Sequence, residues 1–367
     1  MTVHDSPRRL TIIGLGLIGG SLGLAIKAAV GDRIEVVGHS RTRASANKAR
    51  KMGALDKAEH NLPRAVEGAG IVIVCTPVLT IREVFEQIAP HLAEGAVVTD
   101  VGSTKQKVME WAAEMLPRSV SFIGGHPMAG KETQGIDNAD ADLFRGKPYI
   151  LCPAVDAHQD AVKALVGLVQ LIGADPVFLE PKEHDQYAAA VSHLPLVLST
   201  ALFTMARASP AWEDIAPLAS SGFHDVSRLA SGDPQMSHDI FLTNRDAALH
   251  WLDRIQKELD RYRELIEGDP EHLLETLARA KIDRDDFLAQ PRPTREGEES
   301  ANVREELMSA LMGGWVADRV KKARGLPGLI KDGGPPPAEG EPTRAERIAE
   351  DIRRDLEKLE EKRRAKE

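Results

Sequence analysis

A histidine in a short polar turn is the first candidate for chemistry in this sequence. His126 lies in the segment 124–132, GGHPMAGKE, directly after a short apolar run that is typical of a buried strand. An imidazole titrates near neutral pH, which makes it a suitable general base. Ser103 lies in a similar turn at 100–105, DVGSTK, which follows another apolar run. Because the carboxyl ends of parallel strands line one crevice, both turns indicate a single ligand site.

A glycine-rich segment near the amino terminus predicts a dinucleotide cofactor. Residues 14–19 read GLGLIG and match G-x-G-x-x-G between an apolar run and a helical segment, which is the context that gives this pattern weight. Gly14 allows a tight turn, Gly16 lets the backbone approach a pyrophosphate, and Gly19 lets the helix pack closely on the strand. We assign these residues to the cofactor site: Gly14, Gly16, Leu17, Ile18, Gly19, Ser40, Arg41 and Thr76.

The residues after the second predicted strand favour NADP over NAD. An NAD site typically places a carboxylate here to bind the adenine ribose, whereas this chain reads GHSRTR at 38–43. Ser40 can donate to a phosphate, and Arg41 can bind one through two parallel hydrogen bonds. The alternative is a solvated basic turn beside an NAD site that lacks an acidic selector.

The second half of the chain supplies further histidines and an arginine. His184 and His193 lie in segments of helical composition. Their spacing is not that of a zinc site, and no cysteine thiolates accompany them. Arg228 ends the segment GFHDVSR. An arginine that faces a cofactor cleft can bind a substrate carboxylate, and the alternative for such a residue is a surface salt bridge. We predict a carboxylate contact for Arg228 and no metal ion.

Alternating strands and helices must position these turns. Apolar runs rich in β-branched residues predict strands at 10–13, 34–37, 71–74, 97–99, 122–123, 149–151 and 176–178. This alternation predicts an α/β Rossmann-type dinucleotide-binding domain with a mostly parallel sheet. After Leu179 the segments are helical, and an apolar stripe runs from Leu249 to Ile266 at spacings of three and four. Such a long stripe predicts partner helices.

Composition divides the chain into three parts. We predict the Rossmann domain at 1–180, an all-α helical domain for substrate binding and dimerisation at 181–285, and a charged tail at 286–367. The tail contains three consecutive prolines and then a thin apolar stripe among many charges, which is typical of a solvated or partly disordered segment. A partner-binding helix is the alternative for its last residues.

Charge and composition exclude several classes of protein. The chain carries 47 lysines and arginines against 56 acidic residues, a net charge of −9, which gives no overall attraction to nucleic acid or anionic membranes. Two cysteines are too few for a disulfide scaffold. The longest apolar stretch, 194–206, is too short to span a bilayer, and no secretion signal follows the amino terminus. We predict a cytoplasmic protein without nucleic-acid or membrane partners.

Five segments, taken in order, resemble the prephenate/arogenate dehydrogenases of tyrosine biosynthesis. They are GLGLIGGS at 14–21, DVGSTK at 100–105, HPMAG at 126–130, SHLP at 192–195 and GFHDVSR at 222–228. The resemblance implies an oxidative decarboxylation, in which hydride leaves C4 of a cyclohexadienol for the nicotinamide and loss of CO2 makes the ring aromatic. The product would be 4-hydroxyphenylpyruvate from prephenate or tyrosine from arogenate.

The resemblance also implies a role for each candidate residue. His126 would accept a hydrogen bond from the C4 hydroxyl and act as the base, and Ser103 would orient that hydroxyl. Arg228 would hold a substrate carboxylate, and His184 and His193 would line the site. Family members are homodimers with intertwined helical domains, which would account for the long apolar stripe.

Two positions depart from the family's pattern. Leu196 stands where some relatives carry a histidine linked to inhibition by tyrosine, and Ser237 stands where some carry a tryptophan. Glu132 would favour the amine of arogenate, but one carboxylate does not decide between the two substrates. The sequence leaves open both this choice and the sensitivity to tyrosine.

Two other functions are compatible with part of the pattern. A β-hydroxyacid dehydrogenase of the same architecture usually carries a lysine base in its helical domain, but no lysine occurs between Glu183 and Lys257. A non-enzymatic dinucleotide-binding module needs the glycine loop but not His126, Ser103 and Arg228 together.

Overall fold

A computed structural model describes residues 8–131 and 133–289 of this chain. The predicted contact of Glu132 and almost all of the predicted tail fall outside these residues. The described chain forms two compact units, one that ends at Leu252 and one that begins at Asp253.

One sheet of eight strands organises the first unit. The strands are β1 Arg8–Ile13, β2 Ile34–His39, β3 Lys57–Ala58, β4 Ala69–Val74, β5 Val97–Asp100, β6 Ser121–Pro127, β7 Pro148–Pro153 and β8 Asp175–Phe178. Their order across the sheet is β3-β2-β1-β4-β5-β6-β7-β8, and neighbours run parallel except β6 and β7, which pair antiparallel. The predicted Rossmann-type fold is thereby confirmed, with an edge of two reversed strands that the sequence did not indicate.

Helices connect the strands of the sheet, and after β8 the described chain contains helices without further strands. Between the strands lie α1 Leu17–Val30, α2 Arg43–Lys51, α3 Leu62–Val66, α4 Val78–Ile88, α5 Gln106–Met115 and α6 Gln159–Leu171. The later helices are α7 Pro181–Ala188, α8 Leu194–Arg207, α9 Trp212–Ile215, α10 Ser221–Ser227, α11 Pro234–Thr243, α12 Arg245–Gly268 and α13 Pro270–Ala289. The predicted helical segment after Leu179 is thus confirmed as a run of helices.

Two apolar layers, one on each face of the sheet, hold the Rossmann helices in place. Successive side chains of a strand point to opposite faces, so Ile73 joins one layer while Val72 and Val74 join the other. In the second layer Phe85 of α4 packs edge-on against Phe122 of β6, with 5.4 Å between ring centres. Burial on both faces explains why the strands read as nearly continuous apolar runs.

The helix formed by α7, a wider turn at Ala189–His193 and α8 is strongly apolar yet poorly buried. Among the described residues, this one helix, Pro181–Arg207, is long and apolar enough to cross a membrane by length and composition alone. Only 22% of its most apolar window is buried, and Val191 and Met205 are largely exposed. The helix is longer than the predicted apolar stretch of 194–206, because α7 continues through the wider turn directly into α8. A single helix of this kind is weak evidence for a membrane.

The second unit contains the rest of α12 and all of α13. Asp269 lies between the two helices, and its carboxylate accepts a hydrogen bond from the backbone N–H of His272 at 3.0 Å. Arg261 of α12 donates to the Thr276 hydroxyl of α13 at 3.3 Å. The apolar stripe predicted from Leu249 to Ile266 lies on α12, a single helix of 24 residues, and its members Leu259 and Ile266 are exposed.

Candidate active site

The turn between β1 and α1 forms a cradle for a phosphate group. Gly14 has φ of +98°, and a Cβ there would lie 2.4 Å from the carbonyl oxygen of Cys75. A Cβ on Gly19 would lie 1.9 Å from the carbonyl oxygen of Gly14, so both positions require glycine. Gly16 is different, because a Cβ there would meet nothing within 4 Å. The open space lies at the amino terminus of α1, whose first N–H groups have no partner within the helix.

Thr76 lies beside this cradle, immediately after β4. A Cβ on Gly14 would lie 3.1 Å from the backbone nitrogen of Thr76, so the two turns touch. The Thr76 hydroxyl is buried and makes no hydrogen bond to any described residue. Leaving a buried hydroxyl unpaired costs about 1–3 kcal/mol, so this atom requires a partner from outside the chain. Leu17 and Ile18 begin α1 at the same place, and the group of residues fits a dinucleotide.

The carboxyl end of β2 lies next to the glycine turn. The backbone N–H of Gly14 donates to the carbonyl of His39, the last residue of β2, at 2.9 Å. Nδ1 of the His39 ring donates to the carbonyl of Glu59 at 3.0 Å, and burial lowers the pKa of His39. Ser40 follows, and then Arg41, which is exposed and forms no hydrogen bond or ion pair within the described ranges. Ser40 and Arg41 therefore follow β2 directly beside the glycine turn, and their contact with a phosphate stays a prediction.

A buried ion pair joins the ends of β5 and β6. Lys105 and Asp100 are both fully buried and paired with each other. The Asp100 carboxylate also accepts the backbone N–H groups of Gly102 at 2.7 Å and Gly125 at 3.1 Å, and Lys105 donates to the Gly125 carbonyl at 2.7 Å. Ser103 lies half-buried within this turn. The turn that carries Ser103 is therefore anchored to the strand that carries His126.

The sequence predicted that His126 follows a strand, but the structure places it within β6. The strand extends to Pro127 because β7 pairs with it antiparallel, with His126 opposite Ile150. The ring is buried, with 7% of the residue exposed. Burial, together with the neighbouring His184, Lys105 and His193, lowers the pKa of His126 well below its usual 6.5. The imidazole is therefore neutral at pH 7 and able to accept a proton.

His184 and Asp185 continue a row of buried side chains from His126. Nδ1 of His126 lies 2.8 Å from Nε2 of His184, and Nδ1 of His184 lies 2.8 Å from Oδ1 of Asp185. The Asp185 carboxylate accepts the backbone N–H groups of Lys105 at 2.7 Å and Gln106 at 2.9 Å. Sequence reasoning had placed His184 in the site but had not assigned Asp185, whose partners lie about 80 residues away in the chain.

His193 ends the wider turn between α7 and α8, which is a π-helical turn of the kind found at functional sites. Nδ2 of Asn244 donates both to Nδ1 of His193 at 3.2 Å and to the carbonyl of Asp185 at 2.7 Å. Burial lowers the pKa of His193 to about 4, so Nε2 carries the proton of a neutral ring. That Nε2 is buried near the Ser103 backbone and forms no hydrogen bond of normal geometry with the described residues.

Arg228 is exposed, in contrast to the residues of this buried cluster. It begins a tight turn, Arg228–Ser231, after α10, and its side chain is exposed in the single chain. The turn packs on α8, since the backbone N–H of Ala230 donates to the Ser199 hydroxyl at 3.1 Å. The carboxylate contact of Arg228 stays a prediction. No group of three or more metal-ligating side chains is assembled within residues 8–131 and 133–289.

Two family models match nearly all of the described chain. Residues 22–178 match the nucleotide-binding domain of prephenate dehydrogenase, and residues 180–279 match its dimerization domain. The chain is 37% identical to the prephenate dehydrogenase of Bacillus subtilis over 75% of each protein. It is 31% identical to the cyclohexadienyl dehydrogenase of Zymomonas mobilis, over 73% of this chain and 92% of that protein.

Solved structures give the same result. The arogenate dehydrogenase of Synechocystis superposes with a TM-score of 0.65 at 33% identity, covering 76% of this chain and 99% of that one. The prephenate dehydrogenase of A. aeolicus, solved in complex with hydroxyphenyl propionate and NAD+, superposes with a TM-score of 0.72 at 30% identity, covering 77% and 99%.

Proposed function

We propose which residues act, which dinucleotide is used and how two copies assemble from one premise: the chain belongs to the prephenate dehydrogenase family. It catalyses the oxidative decarboxylation of prephenate or arogenate in tyrosine biosynthesis. The resemblance of the five sequence segments to this family is confirmed.

His126 is the base of the reaction. A bound nicotinamide supplies the acceptor for the hydride that leaves C4, and His126 takes the proton of the C4 hydroxyl as the carbonyl forms. The electron pair of the bond to the departing CO2 then moves through the ring to the C4 oxygen, which takes up a proton to give the phenol. The buried row from His126 through His184 to Asp185 carries this assignment. Hydrogen bonds join the three side chains, and His126 is neutral at pH 7.

Three further residues position the substrate. Ser103 orients the C4 hydroxyl, because its turn is anchored beside β6 by the ion pair of Lys105 and Asp100. His193 donates from its unpaired Nε2 to an acceptor atom of the bound ligands. Arg228 binds a substrate carboxylate, as its exposed guanidinium allows.

The preferred cofactor is NADP. The turn at the end of β2 carries Ser40 and the exposed Arg41 where an NAD site typically carries a carboxylate. A solved relative holds NAD+, which makes NAD the alternative. The fit of Gly16 and Thr76 to a pyrophosphate supports either dinucleotide equally.

The active assembly is a cytoplasmic homodimer. The dimerization-domain match and the exposed apolar face of the helix Pro181–Arg207 support this, because a second copy would cover the face. Light scattering should give a molecular mass of two chains.

Absorbance at 340 nm tests the whole proposal. Purified enzyme with prephenate or arogenate should reduce NADP faster than NAD at equal concentrations, and the ratio of kcat/KM between the two substrates identifies the physiological one. Turnover of neither substrate with either cofactor would contradict the proposal, and a strong preference for NAD would contradict the cofactor assignment alone.

A further inference from the structure

Asp185 ends a buried row of side chains that begins at the proposed base. Its carboxylate contacts His184, and His184 contacts His126, each at 2.8 Å. The three residues are 3%, 2% and 7% exposed, so bulk water is largely excluded from the row. The positions of its protons are therefore decided by the hydrogen bonds of the row itself.

The partners of Asp185 determine the direction of every hydrogen bond in the row. Backbone N–H groups of Lys105 and Gln106 donate to Oδ1 and Oδ2, and an N–H group cannot accept. The carboxylate thus faces His184 as an acceptor, and His184 carries its proton on Nδ1. Nε2 of His184 is then an acceptor, so Nδ1 of His126 carries the proton and donates to it. Nε2 of His126 is left with a free lone pair.

We propose that Asp185 is the positioning residue that fixes which nitrogen of His126 is free to take the substrate's proton, and that it acts through His184. This inference rests on the proposed role of His126 as the base. When that base accepts a proton, the pair of His126 and His184 becomes cationic, and the negative charge of Asp185 stabilises the pair from the far side of His184. Asp185 thus favours both the reactive tautomer and the state that follows proton transfer.

The other charged groups around His126 do not supply this effect. Lys105 is cationic and is paired with Asp100, on the side of the turn that anchors Ser103. His193 is kept neutral by burial and receives a hydrogen bond from Asn244. The backbone carbonyl of Asp185 also accepts a hydrogen bond from Asn244. The proper test is therefore a substitution that keeps the size of the Asp185 side chain and leaves this backbone contact in place.

Asp185→Asn removes the charge and keeps the shape. The amide oxygen is a weaker acceptor than a carboxylate, and the amide nitrogen can only donate. We expect kcat to fall by about 10²-fold or more with little change in either KM, because the loss is felt when the proton moves. The acid limb of the pH–rate profile should also shift to lower pH, because protonated His126 loses a nearby negative charge.

Asp239→Asn is the matched control. Asp239 is equally buried, accepts the backbone N–H of Leu79 at 3.2 Å and joins α11 to α4 in the same unit, but it is not part of the row. It should lower the midpoint of urea unfolding as Asp185→Asn does and leave kcat within about threefold of wild type. A similar loss of kcat in both variants would assign Asp185 a structural role and overturn the proposal.

A double-mutant cycle tests the route through His184. If Asp185 acts through His184, then Asp185→Asn should have little further effect on kcat once His184→Ala has been made. Multiplied losses would overturn the proposal. If His126→Asn itself leaves kcat unchanged, the assignment of the base has failed instead.

Nitrogen-15 NMR of the wild-type dimer gives a readout that needs no variant. With histidine ring nitrogens labelled, we expect Nε2 of His126 to show the chemical shift of an unprotonated nitrogen, and Nδ1 of both His126 and His184 that of a protonated one. A proton found on Nε2 of His126 at pH 7.5 would overturn the proposal even if variants fail to fold.

Discussion

Two groups of basic side chains in this molecule are held in opposite ways. His126, His184 and His193 are buried, and hydrogen bonds within the chain fix each ring. Arg41 and Arg228 lie exposed on turns. A fixed, buried ring needs no rearrangement when a proton moves, whereas an exposed guanidinium lies where an incoming anion can reach it. The contrast predicts that loss of the buried base His126 lowers kcat, whereas loss of an exposed guanidinium raises KM.

His126→Asn should have the largest effect. We expect kcat to fall by about 10²–10⁴-fold with little change in the substrate KM, because a general base acts mainly in the transition state. Steady-state kinetics at pH 7.5 measures this. His91→Asn is the control, since His91 is an exposed histidine on a surface turn. A rise in KM with normal kcat would contradict the division between the two groups.

Acid should destabilise the fold through the same buried rings. The pKa values of His126 and His193 are lowered in the folded chain, the latter to about 4, so stability is fully present above pH 6.5 and is lost as pH falls toward 4. The free energy of unfolding should fall by up to about 1.4 kcal/mol per pH unit for each histidine in this window. Urea unfolding at several pH values measures it, and His193→Gln should flatten the slope. An unchanged slope would show that His193 titrates normally.

Arg228→Ala should act on substrate binding. A charge-assisted hydrogen bond contributes about 1.5–3 kcal/mol, so we expect the substrate KM to rise by about ten- to a hundredfold while kcat changes far less. Arg145→Ala, which removes a surface arginine paired with Asp142, is the control. A drop in kcat alone would place Arg228 with the buried group instead.

Arg41→Ala should have the smallest and most selective effect. The KM for NADP should rise by about tenfold through loss of the contact to the 2′-phosphate, and the KM for NAD should hardly move. Arg50→Ala, an exposed arginine farther along α2, should change neither value. Equal losses with both cofactors would refute the assignment of Arg41 to the phosphate.

Local patterns made the cofactor half of the site predictable. The glycine loop depends on contacts between near neighbours, such as Gly14 and Gly19, so the order of residues reveals it. The strands could be placed because burial on both faces demands apolar runs. The prediction that His126 follows a strand was wrong. The antiparallel partner that extends β6 to this residue comes more than 20 residues later in the chain, where a local pattern does not reveal it.

Distant contacts made the rest unpredictable. Asp185 becomes functional only because α7 brings it to the backbone of Lys105 and Gln106. The sequence predicted an apolar stretch of only 194–206, and this stretch contains Pro195, a residue type that removes a backbone donor and crowds the preceding turn. The helix continues because a π-helical turn, Ala189–His193, precedes it, and the wider turn accommodates the ring.

The exposed apolar face of the helix Pro181–Arg207 would make the activity of this chain depend on its concentration if two copies pair through it, as proposed. The same helix carries His184 and His193, while Val191 and Met205 lie exposed on it in the single chain. In the proposed homodimer the second copy covers that face, and it then stabilises the helix by mass action. Below the dissociation constant of the pair, the two histidines lose this support together. Specific activity would then decline on dilution even at saturating substrate, and added substrate, by favouring the ordered site, would pull the chains back together.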